Sequence, residues 1–103
     1  MTETLVSAAR KGGITLITLG ATLDARCSED LKKKLSTLLR RKPPFAIDGR
    51  QVDRVDTAGL QVLLAFVNEA RSRDIDIGWH ETSDSLKTAS RLTGLLDQLG
   101  IAV

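Results

Sequence analysis

Twice along this chain, apolar residues that recur at strand spacing give way to apolar residues that recur every third or fourth position. That change of period restricts the fold more than any other feature. In Ile14-Thr15-Leu16-Ile17-Thr18-Leu19, threonine is interspersed with apolar residues, as in a strand with one buried face. Leu5 to Ala9 reads as a shorter strand before it, and Gly12-Gly13 supplies the turn, so a hairpin opens the fold. Gly20 and Ala21 break the run. After Leu23-Asp24, Ser28-Glu29-Asp30 reads as a helix start, with a capping hydroxyl and two carboxylates in the positive first turn. Leu31, Leu35, Leu38 and Leu39 then recur at helical spacing and predict a first helix over 28–41.

Pro43-Pro44 stops that helix, because proline lacks the N–H and disfavours helical geometry in the residue before it. Phe45 to Asp48 predicts a short central strand. A second helix begins at Thr57, with Leu60, Leu63, Leu64 and Val67 as its stripe, thickened by Val62, Phe66 and Ala70, and it ends near Arg71-Ser72-Arg73. Ile75 to Trp79 predicts another strand, with His80 following it and the Trp79 indole N–H reaching water or a carbonyl. Ser83-Asp84-Ser85 caps a third helix carrying Leu86, Ala89 and Leu92 on its apolar side, Gly94 ends it, and Leu95 to Gly100 forms a last helical turn. Strands interleaved with helices imply an α/β fold in which crossover helices join parallel strands.

The 103 residues fit one domain, 1–103, able to bury a core without metals or disulfides. The formal charge is +2, and the dense basic run, Lys32-Lys33-Lys34 followed by Arg40-Arg41-Lys42, flanks apolar positions at helical spacing and reads as a solvated helix face. With Phe45, Phe66 and Trp79 as the only aromatics, base stacking has few platforms, and nucleic acid is not an expected partner. Cys27 is the only cysteine, so no disulfide framework or CxxC metal site can be built within the chain, and His80, the only histidine, has no companion histidine for metal binding. No apolar run approaches the ~18 residues of a membrane span, and residues near Met1 show no charged region leading into an apolar core; a cytoplasmic protein is expected.

The stretch "RVDTAGLQVLL", Arg54 to Leu64, carries the candidate chemistry. Asp56 and Thr57 stand where a loop becomes a helix, and either side chain could accept hydrogen bonds from the free N–H groups of the first turn. Gly59 suits close backbone packing. The same helix start would attract a phosphate carried on the Thr57 hydroxyl, and the small Ala58 and Gly59 leave that hydroxyl accessible. The residues alone fit both a capping role and a modification site.

"TLDARCSEDLKKKL" (Thr22 to Leu35), "VDRVDTAGLQVLL" (Val52 to Leu64) and "SDSLKTASRLTGLLDQLGI" (Ser83 to Ile101) together resemble the STAS domain, named for sulfate transporters and anti-sigma factor antagonists. The resemblance implies a mixed sheet of four to five strands with helices mainly on one face. It also implies that the hydroxyl after the signature aspartate, Thr57, is phosphorylated by a partner that is both ATP-binding kinase and anti-sigma factor. The unphosphorylated form would bind that partner and the phosphorylated form would let go. Asp24 and Asp56 match the family aspartates near this hydroxyl, and Ala58, Gly59 and Gln61 complete the expected contact surface.

The signature also resembles the STAS subunit of the lipid-asymmetry ABC transporter, in which the threonine docks on the ATPase subunit, and STAS proteins encoded beside chemotaxis kinases. A small enzyme is the third possibility, with Asp48, Asp53 and Asp56 as an acidic phosphoacceptor site or Asp56 and Thr57 as reacting groups. A nucleophile, base and orienter are not evident, and no glycine-rich phosphate loop is present. The chain is expected to be non-enzymatic and without a cofactor, any ATP coming from the partner.

Overall fold

The computed structural model describes residues 4–102. Strands β1 (Val6–Lys11) and β2 (Ile14–Leu19) form the hairpin turned by Gly12 and Gly13, both at positive φ. A two-residue strand, β3 (Thr22–Leu23), precedes helix α1 (Ser28–Leu38). There follow β4 (Phe45–Gly49), the two-residue β5 (Arg54–Val55), α2 (Thr57–Ser72), β6 (Ile77–Thr82), α3 (Asp84–Leu92) and α4 (Leu96–Leu99). The main sheet has the order β1-β2-β4-β6, with β1 antiparallel to β2 and the remaining pairs parallel. The expected α/β mixed sheet is therefore present, with β4 interior to it.

Register defines the two faces. Ile17 pairs with Ala8 and Ile47, and Ile47 with Trp79, so these residues share one face. The core lies there: Ile17, Leu19, Phe45 and Ile47 meet Leu31, Leu35, Leu60, Leu63, Val67, Leu86 and Leu99 of the helices. The opposite face, through Ala9, Leu16 and Ala46, is only partly covered, and Ile14 at its corner is 41% exposed. Among the described residues no helix is long and apolar enough to cross a membrane.

Several local expectations change. Helix α1 ends at Leu38, not Arg41: Arg40 N–H and Arg41 N–H bond the Thr37 and Leu38 carbonyls in a tighter turn. Ser28 does not cap α1; its hydroxyl donates to the Ala25 carbonyl at 3.0 Å, and Cys27 occupies the cap position. The last strand starts at Ile77, not Ile75. Asp74 adopts φ 57° and the Ile75 N–H returns to the Ala70 carbonyl at 2.9 Å, so Ile75 closes the end of α2. His80 lies inside β6, at a register shift between the Ile47–Trp79 and Asp48–Glu81 pairs. Leu92 is 81% exposed, because α3 turns the arc carrying Leu86 and Ser90 inward and Leu92 falls outside it. Ser83 does cap α3, accepting from the Leu86 N–H, and Trp79 Nε1 donates to the Leu99 carbonyl at 2.9 Å.

Candidate functional site

The start of α2 is built by backbone contacts that the sequence does not display. β3 and β5 pair in parallel, Thr22 with Arg54 and Leu23 with Val55, which sets the segment before α1 beside the segment before α2. The Asp53 and Arg54 N–H groups both reach the Ala21 carbonyl, at 2.8 and 2.9 Å, and the Asp56 N–H reaches that of Leu23 at 3.2 Å. Gly59 completes the approach: a Cβ there would run into the Leu23 carbonyl. That close packing is the reason for glycine at this position.

Asp56 is the cap. Its Oδ1 accepts from the Gly59 N–H at 3.0 Å, and its Oδ2 accepts from the Ala25 N–H at 2.9 Å. One carboxylate therefore satisfies an orphan donor of α2 and holds the loop that carries Asp24. Thr57 is the first helical residue; it is exposed, and its hydroxyl makes no hydrogen bond with any described residue. Of the two capping candidates, then, Asp56 does the work and Thr57 is left open to solvent.

Asp24 sits half-buried on the adjoining loop. Its carboxylate accepts from Arg26 Nη2 at 3.0 Å, from Arg26 Nε at 3.3 Å and from the Arg26 backbone N–H at 3.0 Å. The hydrogen-bonded Arg26 guanidinium holds its pKa below the ordinary carboxylate value. A cavity of about 430 Å³ opens beside it, lined by Thr22, Asp24, Arg26, Cys27, Asp30 and Lys34. The Cys27 thiol is internally engaged, donating toward the Asp24 carbonyl and accepting the Asp24 N–H at 3.3 Å. Ala58 is half-buried and Gln61 exposed one turn further along α2.

The chain thus brings Asp24, Asp56, Thr57, Ala58, Gly59 and Gln61 to one end of the helical layer. Asp48 stands apart from this group. It is 5% exposed and taken by Arg50, whose Nη2 donates to Oδ2 at 2.8 Å, so no acidic cluster with Asp53 and Asp56 forms. Among the described residues no group of three or more His, Cys, Asp or Glu side chains is placed to hold a metal. Sequence reasoning missed the β3–β5 pair and the Ala25–Asp56 bond. Two-residue strands have no period to read, and Ala25 joins through its backbone.

A family model described as "Mlab, STAS domain" matches residues 6–101. The crystal structure of an anti-sigma factor antagonist from Mycobacterium paratuberculosis superposes with a TM-score of 0.77 at 20% identity, over 93% of this chain and 81% of that one. Comparison with curated proteins returns no match. With the sheet order, the capped α2 start and the matched residues in place, the chain belongs to the STAS domain family.

Proposed function

We propose that this chain is a single regulatory domain that works as an anti-sigma factor antagonist. Its partner is an ATP-binding anti-sigma factor of the serine kinase type, docking on the start of α2 and released when Thr57 is phosphorylated. The observation that carries this reading is the free, exposed Thr57 hydroxyl at the helix start, with Asp56 performing the capping beside it. Asp24, Asp56, Ala58, Gly59 and Gln61 frame the contact surface. A phosphate on Thr57 would add a charge of about −1.5 to −2 beside the Asp24 and Asp56 carboxylates, and like charges brought into a desolvated interface oppose docking. The likeness to the mycobacterial anti-sigma factor antagonist supports this reading. On it the domain is cytoplasmic, binds no cofactor and performs no catalysis of its own.

A second reading is favoured by one finding, the family description that names Mlab. On this reading the domain is a constitutive adaptor on the ATPase subunit of a lipid-transport ABC transporter, with Thr57 a contact residue that never carries phosphate. Affinity capture from the native cell with wild-type protein and Thr57→Glu, with Thr57 phosphorylation read by mass spectrometry, separates the two. The switch predicts a kinase held by wild type alone and phosphate on Thr57. A transporter ATPase held without any Thr57 phosphate would establish the adaptor, and a chemotaxis kinase in the same position would move the switch to that pathway.

A further inference from the structure

Of the basic run, Lys34 lines the cavity beside Asp24, whereas Lys32 and Arg40 border a different feature. Helices α1 and α2 pack against each other, and a groove of about 400 Å³ lies between them. On α2 it begins at Val62, beyond the turn that carries Thr57. Leu35, Leu39 and Phe66 form its floor, with the half-buried Val62 and the exposed Ala65 on the α2 side. Lys32 and Arg40 stand on one wall, and Glu69 and Arg73 on the other.

The charges on the two walls differ. Arg73 Nε donates to Glu69 Oε1 at 2.9 Å, which neutralises that wall. Lys32 and Arg40 form no ion pair with any described residue, and Lys33, Lys34, Arg41 and Lys42 add further positive charge nearby in the chain. The groove is apolar along its floor, positive along one side, and lined on the α2 side by the small side chain of Ala65. Grooves between packed helices accept the side-chain ridge of a third helix when a small residue lets the backbones approach.

We propose that the α1–α2 groove binds an acidic amphipathic helix of a protein partner. Its apolar side chains, spaced i, i+3 or i+4 and i+7, lie along Leu35, Val62 and Phe66, and its carboxylates meet Lys32 and Arg40. A protein helix fits better than a bilayer because the floor lies between two walls. Nucleic acid is disfavoured because the groove's one aromatic residue, Phe66, is buried and offers no stacking platform. This inference does not depend on phosphorylation of Thr57.

The test is selection of a displayed library of short helical peptides, randomised at apolar and charged positions, against the intact protein. Selected peptides are synthesised and mapped by amide chemical shifts. The expected result is enrichment of Asp and Glu flanking helically spaced Leu, with shifts centred on Leu35, Val62 and Ala65. Affinity should fall at least about tenfold in Lys32→Glu/Arg40→Glu and in Ala65→Arg, and weaken with salt. These positions are exposed, so the variants are expected to fold, which thermal melts confirm; Leu92→Gln on α3 serves as the control that retains binding. No enriched peptide, peptides without acidic bias, or shifts mapping elsewhere would overturn the proposal. Phosphatidylglycerol vesicles bound in a Lys32- and Arg40-dependent manner would overturn it in favour of a membrane surface.

Discussion

Asp56 and Ala25, distant in sequence, are joined through one carboxylate: Oδ2 accepts the Ala25 N–H while Oδ1 accepts the Gly59 N–H. Removing that carboxylate leaves two backbone donors unpaired in separate segments. Asp56→Ala is expected to cost about 1–3 kcal/mol, read as a lower urea midpoint at an unchanged slope. Asp56→Asn retains one acceptor oxygen and should recover part of the loss.

Thr57 is predicted to be energetically silent in the isolated domain. Its hydroxyl bonds nothing among the described residues, so Thr57→Ala should change unfolding free energy by less than about 0.5 kcal/mol. A larger loss in urea titration would show that the side chain holds the helix start and does not stand free.

Gly59→Ala should be far more damaging than a gain in helix propensity suggests. The added Cβ meets the Leu23 carbonyl, and the two segments would have to part. A cost of about 3 kcal/mol is expected in thermal or urea unfolding, with the amide shifts of Leu23 and Asp24 displaced.

Within α3 the two leucines separate by environment. Leu86 is fully buried, and Leu86→Ala should destabilise by about 2–5 kcal/mol. Leu92→Ala should fall within about 0.5 kcal/mol of wild type, because its side chain is already in water. Differential scanning calorimetry of the pair checks the assignment.

The Asp48–Arg50 pair predicts a pH dependence. The hydrogen-bonded Arg50 guanidinium, with a smaller contribution from His80, holds the Asp48 carboxyl below its ordinary value against the opposing effect of burial. A depressed folded-state pKa means the unfolded chain takes up the proton first. The stabilisation is therefore complete well above the unfolded value of about 3.9 and is lost as pH falls through the folded value. The stability difference between wild type and Asp48→Asn, followed by urea unfolding from neutral pH downward, should shrink in that acid window; an unchanged difference would show that Asp48 is not held charged.

Elements with a full period of side chains were legible in the sequence. β2, α2 and the Ser83 cap follow from spacing because each signal is local. The start of the last strand was not, since it depends on Asp74 entering the left-handed region to let Ile75 close α2. Leu92 was misplaced for a similar reason: composition marks a helix residue as apolar, but the docking direction of α3 decides which arc is covered. At the candidate site, the motif identified Asp56 and Thr57 together. Only the folded helix start, in which the Gly59 N–H donates to Asp56 Oδ1, decides which of them caps.

The bond between Asp56 and the Ala25 N–H has a bearing on association. It fastens the loop carrying Asp24 to the base of α2 in the free domain, so on the proposed reading a partner arriving at Thr57 meets segments whose conformational freedom was already surrendered on folding. Rigid surfaces of this kind avoid the ordering entropy that mobile loops impose on an encounter. If a partner docks there as proposed, cutting the tether would therefore weaken recognition even where every contacting side chain survived.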